Sequence, residues 1–106
     1  MGEKEVRRAA RLDTTHKPIQ EAFRRLGCSV LSLAQVGSGC PDLLVACGVV
    51  ACLVECKTPK RGTKKGTAER QAEFRVTWQG WTEIARDMGD VARIVGRMRD
   101  IHRGTA

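Results

Sequence analysis

Two acids and a lysine bracket the most apolar stretch of this chain. Pro41-Asp42 is followed by twelve residues, eleven of them apolar and one a glycine (Gly48), and then by Glu55-Cys56-Lys57. A segment of that composition is expected to be buried, and burying charge is costly unless the charge is paired or coordinates a metal. Side chains alternate along a strand, so Glu55 and Lys57 share one face while Cys56 points to the other, into the core. A hairpin turning near Gly48 brings Asp42 back beside Glu55 and Lys57. Carboxylates that close raise one another's pKa unless a cation intervenes. A divalent metal relieves the repulsion, and hard oxygen donors favour magnesium or manganese, with the Cys56 carbonyl oxygen as a further ligand. The Lys57 ammonium can then orient an attacking water and offset charge developing on a phosphate. The plainer alternative is an ion pair of Lys57 with one of the acids at a strand edge, a common feature of small energetic value.

The elements that must position these groups can be read from periodicity. Ile19, Ala22, Phe23 and Leu26 recur at helical spacing, giving a helix over 14–26 with Asp13 or Thr14 as its cap and Gly27 as its stop. Pro18 is tolerated only in a first turn, which moves the start toward Lys17. Cys28 to Ala34 reads as a short strand, and Gly37-Ser38-Gly39-Cys40-Pro41 as a loop. Asp42–Cys47 and Val49–Lys57 read as a hairpin of central strands covered on both faces, since their hydrophobicity is nearly continuous. Pro59 through Gly66 contains no apolar side chain other than the proline. Thr67 can cap a helix running to Gln79. Trp81–Arg86 is a short strand, and Asp90 caps a last helix with Val91, Ile94, Val95 and Met98 on one stripe. The result is a mixed α/β domain in the order helix, three strands, helix, strand, helix.

A chain of 106 residues with 42% apolar and 29% charged residues suits one ordinary globular domain. Its charge does not: +7 with an isoelectric point near 9.7 favours a polyanionic partner, most often nucleic acid, over a basic domain without one. Five cysteines without a C-x-x-C pair, and only two histidines, give no local zinc motif and no disulfide framework. A charged start without an apolar stretch and the shortness of the apolar run, against the roughly 20 residues a membrane span needs, point to a reduced, cytoplasmic setting.

Gly39-Cys40-Pro41-Asp42-Leu43-Leu44-Val45, then Glu55-Cys56-Lys57, then Gln71, resembles the PD-(D/E)XK nuclease superfamily, and within it the VRR-Nuc family (virus-type replication-repair nucleases) in the compact form typical of phages. The resemblance covers roughly residues 13–96. It implies a restriction-endonuclease-like core, a mixed central sheet flanked by helices in the order α-β-β-β-α-β-α. It implies a magnesium- or manganese-dependent DNA phosphodiesterase with Asp42 and Glu55 as metal ligands, Lys57 as the catalytic lysine and Gln71 as the helix-borne motif residue. It further implies a homodimer acting on branched DNA, including four-way (Holliday) junctions, in a host cell's cytoplasm if phage-encoded. Gln71 also falls on a helical stripe with Phe74 and Trp78 that is expected to face the sheet; the alternative is a buried amide that satisfies backbone groups.

One departure stands out. Family members often carry a glutamate in the first helix, and Pro18 occupies that position here. Glu21 falls nearly opposite the apolar stripe, while His16 lies nearer the site. Lys60, Arg61, Lys64 and Lys65 follow the catalytic lysine and are placed to hold phosphates without reading sequence, unless they are simply a solvated run. Arg24, Arg25 and Arg70 extend the basic face. The Gly37-Ser38-Gly39 turn shapes the approach to Asp42, and Trp78 and Trp81 read as core or dimer contacts. The domain plan is a basic arm over 1–12, the nuclease domain over 13–101 and a tail over 102–106. A non-catalytic DNA-binding module retaining the fold is the second reading, and an RNA-acting enzyme a third.

Overall fold

The computed structural model describes residues 16–57 and 66–105. Helix α1 (Lys17–Arg25) is followed by strands β1 (Ser29–Ser32), β2 (Leu43–Cys47) and β3 (Val50–Cys56), helix α2 (Thr67–Thr77), strand β4 (Thr82–Ala85) and helix α3 (Met88–Thr105). The strands form one sheet in the order β1-β2-β3-β4. The first three are antiparallel neighbours, whereas β4 runs parallel to β3. A parallel neighbour needs a crossover, and α2 lies within it. The order of elements is the one expected from the sequence, and so is the central place of β2 and β3.

Alternation along β2 and β3 sorts the sheet into two unlike faces. Register pairs Leu43 with Val54 and Val45 with Cys52. These four, with Cys56 and Ala85, bury completely or nearly so against Phe23 of α1 and Val91, Ile94, Val95 and Met98 of α3. The other face carries Leu31, Leu44, Ala46, Ala51, Leu53 and Glu55. Here Ala51 and Leu31 are exposed, Leu31 by 58%, and Leu44 and Ala46 are only half-buried. The expectation that both faces are covered therefore holds for one face alone among the described residues. A run of small and branched apolar residues satisfies a strand covered on one side as well as one covered on both, so composition does not separate the two cases.

The element ends differ from the sequence reading for local reasons. Helix α1 starts at Lys17 with Pro18 in its first turn, where the missing N–H is no loss; His16 stands at the cap position without a side-chain capping bond. The hairpin turn has two residues, Gly48 and Val49, since Cys47 pairs with Val50. Gly48 has φ 65°, and a Cβ there would meet the His102 ring of α3 at 2.7 Å. Helix α3 begins two residues before Asp90. Asp87 accepts a hydrogen bond from the Asp90 amide (2.9 Å), and the Asp90 carboxylate accepts one from the Arg86 amide (2.9 Å). The cap is therefore Asp87, and Asp90, three residues on, reaches back past it to the Arg86 amide. Arg99 of α3 donates to the Leu26 carbonyl (2.6 Å), closing the end of α1. All five cysteines are free thiols. Among the described residues, no helix is long and apolar enough to cross a membrane.

Candidate active site

The site forms where β2 begins and β3 ends. Asp42 directly precedes β2, so it escapes the pleat and its carboxylate can turn over the end of the sheet. One oxygen, Oδ2, accepts the backbone N–H of Cys56 at 2.8 Å. The other, Oδ1, lies 3.5 Å from Nε2 of His16. The Leu33 amide donates to the Asp42 carbonyl at 2.7 Å, tying the residue to the end of β1. Asp42 is thus oriented by backbone on two sides, which a carboxylate needs if it is to hold a cation in fixed geometry.

Glu55 extends the register opposite Asp42 and is only 4% exposed. Burial first, then the Asp42 charge, pushes its carboxyl from the usual 4.5 up to about 7. The Lys57 and Arg75 charges pull against that rise. The Glu55 carboxylate also accepts a hydrogen bond from Nε2 of Gln71, and Oε1 of the same glutamine accepts one from Lys57 Nζ at 2.8 Å. Gln71 therefore bridges acid and lysine. Glu55 Oε1 is buried with no hydrogen-bond partner among the described residues. A buried carboxylate oxygen that lacks a partner, beside a second carboxylate, is a coordination position for a hard divalent cation. The donor set fits such an ion.

The surrounding thiols are held in their protonated form. Burial, with the Asp42 and Glu55 charges behind it, pushes the Cys56 thiol far above its ordinary value and raises Cys40 by the same causes. The His16 imidazole, the Asp42 carboxylate and the Cys56 sulfur nevertheless converge, each with a donor atom within 4.8 Å of the others. Together they form a cluster able to hold a divalent metal. Cysteine spacing could not show this, because the three residues come from the start of α1, the start of β2 and the end of β3.

Of the residues singled out in the sequence, Asp42, Glu55, Lys57 and Gln71 come together. Cys56 points its thiol to the core face, as alternation requires. His16 reaches Asp42, whereas Glu21 faces a surface cleft with Lys17, Pro18, Arg25 and Met88. Arg24 lies 3.5 Å from the Val30 carbonyl, to which it donates. Arg70 lines a small cleft with Ser38, Glu73, Phe74 and Thr77. The stripe expected to bury Gln71, Phe74 and Trp78 is weaker than its spacing suggests: Trp78 is 48% exposed and stacks on Phe74 at 5.3 Å, so it is not a core residue. Trp81 does pack on the core, donates Nε1–H to Glu83 at 2.8 Å, and lies under the Arg97 guanidinium. The arm 1–12 and the cations Lys60, Arg61, Lys64 and Lys65 lie outside the described residues.

Two features were missed. Arg75 sits one turn beyond Gln71 and contributes to the Glu55 environment; its i+4 spacing was the available signal. Gly39, with φ 79°, packs so closely on α2 that a Cβ would sit 2.3 Å from the Arg70 carbonyl oxygen and 3.1 Å from the Gln71 amide nitrogen. The approach of one backbone to another leaves no sequence signature beyond the glycine itself.

A solved VRR_NUC domain is similar to this chain, with TM-score 0.53 and 25% identity over 80% of this chain and 94% of that one. The chain thus has a VRR_NUC structural homologue in the PD-(D/E)XK-like superfamily, and its core of helices around a mixed sheet is nuclease-like. No protein-family profile matches the chain, and no curated protein does.

Proposed function

We propose that this chain is a metal-dependent DNA endonuclease that hydrolyses phosphodiester bonds, acting on branched DNA such as four-way junctions as a two-fold dimer. The observation that carries the reading is the linked set Glu55–Gln71–Lys57 beside Asp42, in a chain whose fold is similar to a VRR_NUC domain.

Asp42 and Glu55 would hold a magnesium or manganese ion, which when bound neutralises phosphate charge and makes water more acidic. The chain's own groups do the rest. Gln71 holds the Lys57 ammonium in place, and Lys57 orients the attacking water and offsets negative charge as it grows on the phosphate oxygens. Glu55 is anchored by Gln71 through one oxygen, and its other oxygen would be the one to hold the ion. The net charge of +7 supplies a sequence-blind attraction to DNA, to which Lys60, Arg61, Lys64 and Lys65 are proposed to contribute. A dimer answers the need of a small domain for two sites when two strands must be cut symmetrically.

The test is cleavage of labelled four-way junction, flap, single-stranded and linear duplex DNA with magnesium, manganese or chelator. Paired, symmetric, metal-dependent cuts in the junction are expected. Cutting only the other substrates would remove the junction and dimer claims but keep the nuclease. Binding without cutting in either metal would favour a non-catalytic DNA-binding module, and preference for RNA substrates would redirect the assignment. Lys57→Ala should lower cleavage by about 10²–10⁴-fold while DNA binding persists; a variant that cuts normally would overturn the role given to Lys57.

A further inference from the structure

Asp42 faces two unlike sets of donors. Toward Glu55 the site offers oxygen. Toward the helix side it offers the His16 imidazole nitrogen and the Cys56 sulfur, and one donor from each of His16, Asp42 and Cys56 lies within 4.8 Å of the others. Nitrogen, oxygen and sulfur together are what a borderline-soft cation such as zinc takes, and what magnesium avoids.

We infer that His16, Asp42 and Cys56 form a second cation site, selective for zinc-class ions, which shares Asp42 with the oxygen site and so competes with it.

The geometry is close to what such an ion requires. With bonds of about 2.0 Å to nitrogen or oxygen and about 2.3 Å to sulfur, donors in a tetrahedral site lie roughly 3.3–3.7 Å apart. The His16–Asp42 separation is already 3.5 Å. Only the longer separations must contract, and His16 stands at a helix start without a capping bond to hold it. The orientation of Asp42 also fits: its Oδ2 is fixed on the Cys56 amide, which leaves Oδ1 toward the imidazole. The imidazole's other nitrogen, Nδ1, is buried without a hydrogen-bond partner among the described residues, so the contact the ring exchanges for the ion is the 3.5 Å one from Nε2 to Asp42. On binding, the Cys56 S–H bond breaks and its proton passes to solvent, the neutral imidazole keeps its one proton on Nδ1, and bonds form from sulfur, Nε2 and a carboxylate oxygen; water completes the fourth position. An Asp42 oxygen drawn to this side, and a second positive charge beside the first, both weaken a hard ion's hold on the other side.

Cobalt(II) is the probe, since it takes zinc-type sites and a sulfur ligand gives it a charge-transfer absorption band. Titration of the full-length protein with cobalt should produce that band, with zinc removing it. Cys56→Ser should abolish the band, and His16→Ala should weaken cobalt binding by at least about tenfold. Excess manganese should raise the cobalt concentration needed, because Asp42 is shared. Circular dichroism of both variants verifies that they are folded, and His16→Ala removes an imidazole from a helix start rather than a core side chain. A band that persists in folded Cys56→Ser would place the ion on another cysteine and overturn the proposal. Equal binding by wild type and both variants would mean an adventitious ion only. The competition rests on the nuclease reading, but the cobalt band does not: a protein that never cuts DNA would still show it if the site exists. In cutting assays with manganese, zinc should inhibit wild type.

Discussion

The two faces of the sheet divide the work of the molecule. Against α1 and α3, the inward residues of β2 and β3 are closed off completely: Leu43, Val45 and Val54 meet Phe23, Ile94 and Met98 with no solvent contact. On the opposite face, Ala51 of β3 and Leu31 of β1 face water, and the nearly buried side chains that β3 turns to this face are Leu53 and Glu55. One face holds the fold, and the other holds charge that the fold must tolerate. The difference teaches where each kind of cost is met. The raised carboxyl of Glu55 is affordable because the hydrophobic stabilisation lies elsewhere, one residue away along the same strand.

The comparison can be broken first through Phe23. Phe23→Ala should cost about 3–5 kcal/mol of stability, as removal of a fully buried ring does, read by denaturant unfolding. A much smaller loss would mean that the closed face is not the main support. On the other face, Gln71→Ala should change stability by less than about 1 kcal/mol yet reduce cleavage by about 10²-fold. Should Gln71→Ala unfold the protein as Phe23→Ala does, the division into a stabilising and a reactive face fails.

Acidity sharpens the same contrast. Glu55 is raised in the fold, from 4.5 to about 7. A carboxyl raised above its unfolded value binds protons more tightly when folded, so its contribution is fully present below about 4.5 and is lost as pH rises toward and through 7. In chelator, the thermal midpoint of wild type should therefore decline between about pH 4.5 and 7, and Glu55→Gln should flatten that decline. Magnesium or manganese should restore the midpoint most at the alkaline end, because a cation favours the ionised form. Least affected should be Leu31→Ser on the open face, within about 0.5 kcal/mol. A larger loss, dependent on protein concentration, would reveal a second chain covering Leu31.

Much of this was legible in the residues. The alternation of Glu55, Cys56 and Lys57 fixed which face each side chain takes, and the hairpin fixed Asp42 beside Glu55, because period and register are local matters. Gln71 was found by motif and by helical spacing. What escaped depended on chain segments far apart in sequence. Nothing in 16–18 or 56 states that His16 and the Cys56 thiol converge on one carboxylate; that follows from α1 packing over the sheet end. Coverage of the second face was misjudged because apolar composition records burial on average and not by side. The Asp87 cap was hidden by Asp90, a residue of the same type three positions later whose carboxylate takes the Arg86 amide instead.

The contact of Gly39 with α2 gives this position an influence that its missing side chain conceals. In a saturation scan scored by activity, residue 39 should behave as a member of the site, intolerant of every replacement, although it has no side chain to donate or accept there. Gly37 and Gly27, where an added Cβ meets nothing within 4 Å, would show only the milder penalty of their backbone conformation. A map of tolerated substitutions would thus trace the seat of α2 as clearly as it traces the acids.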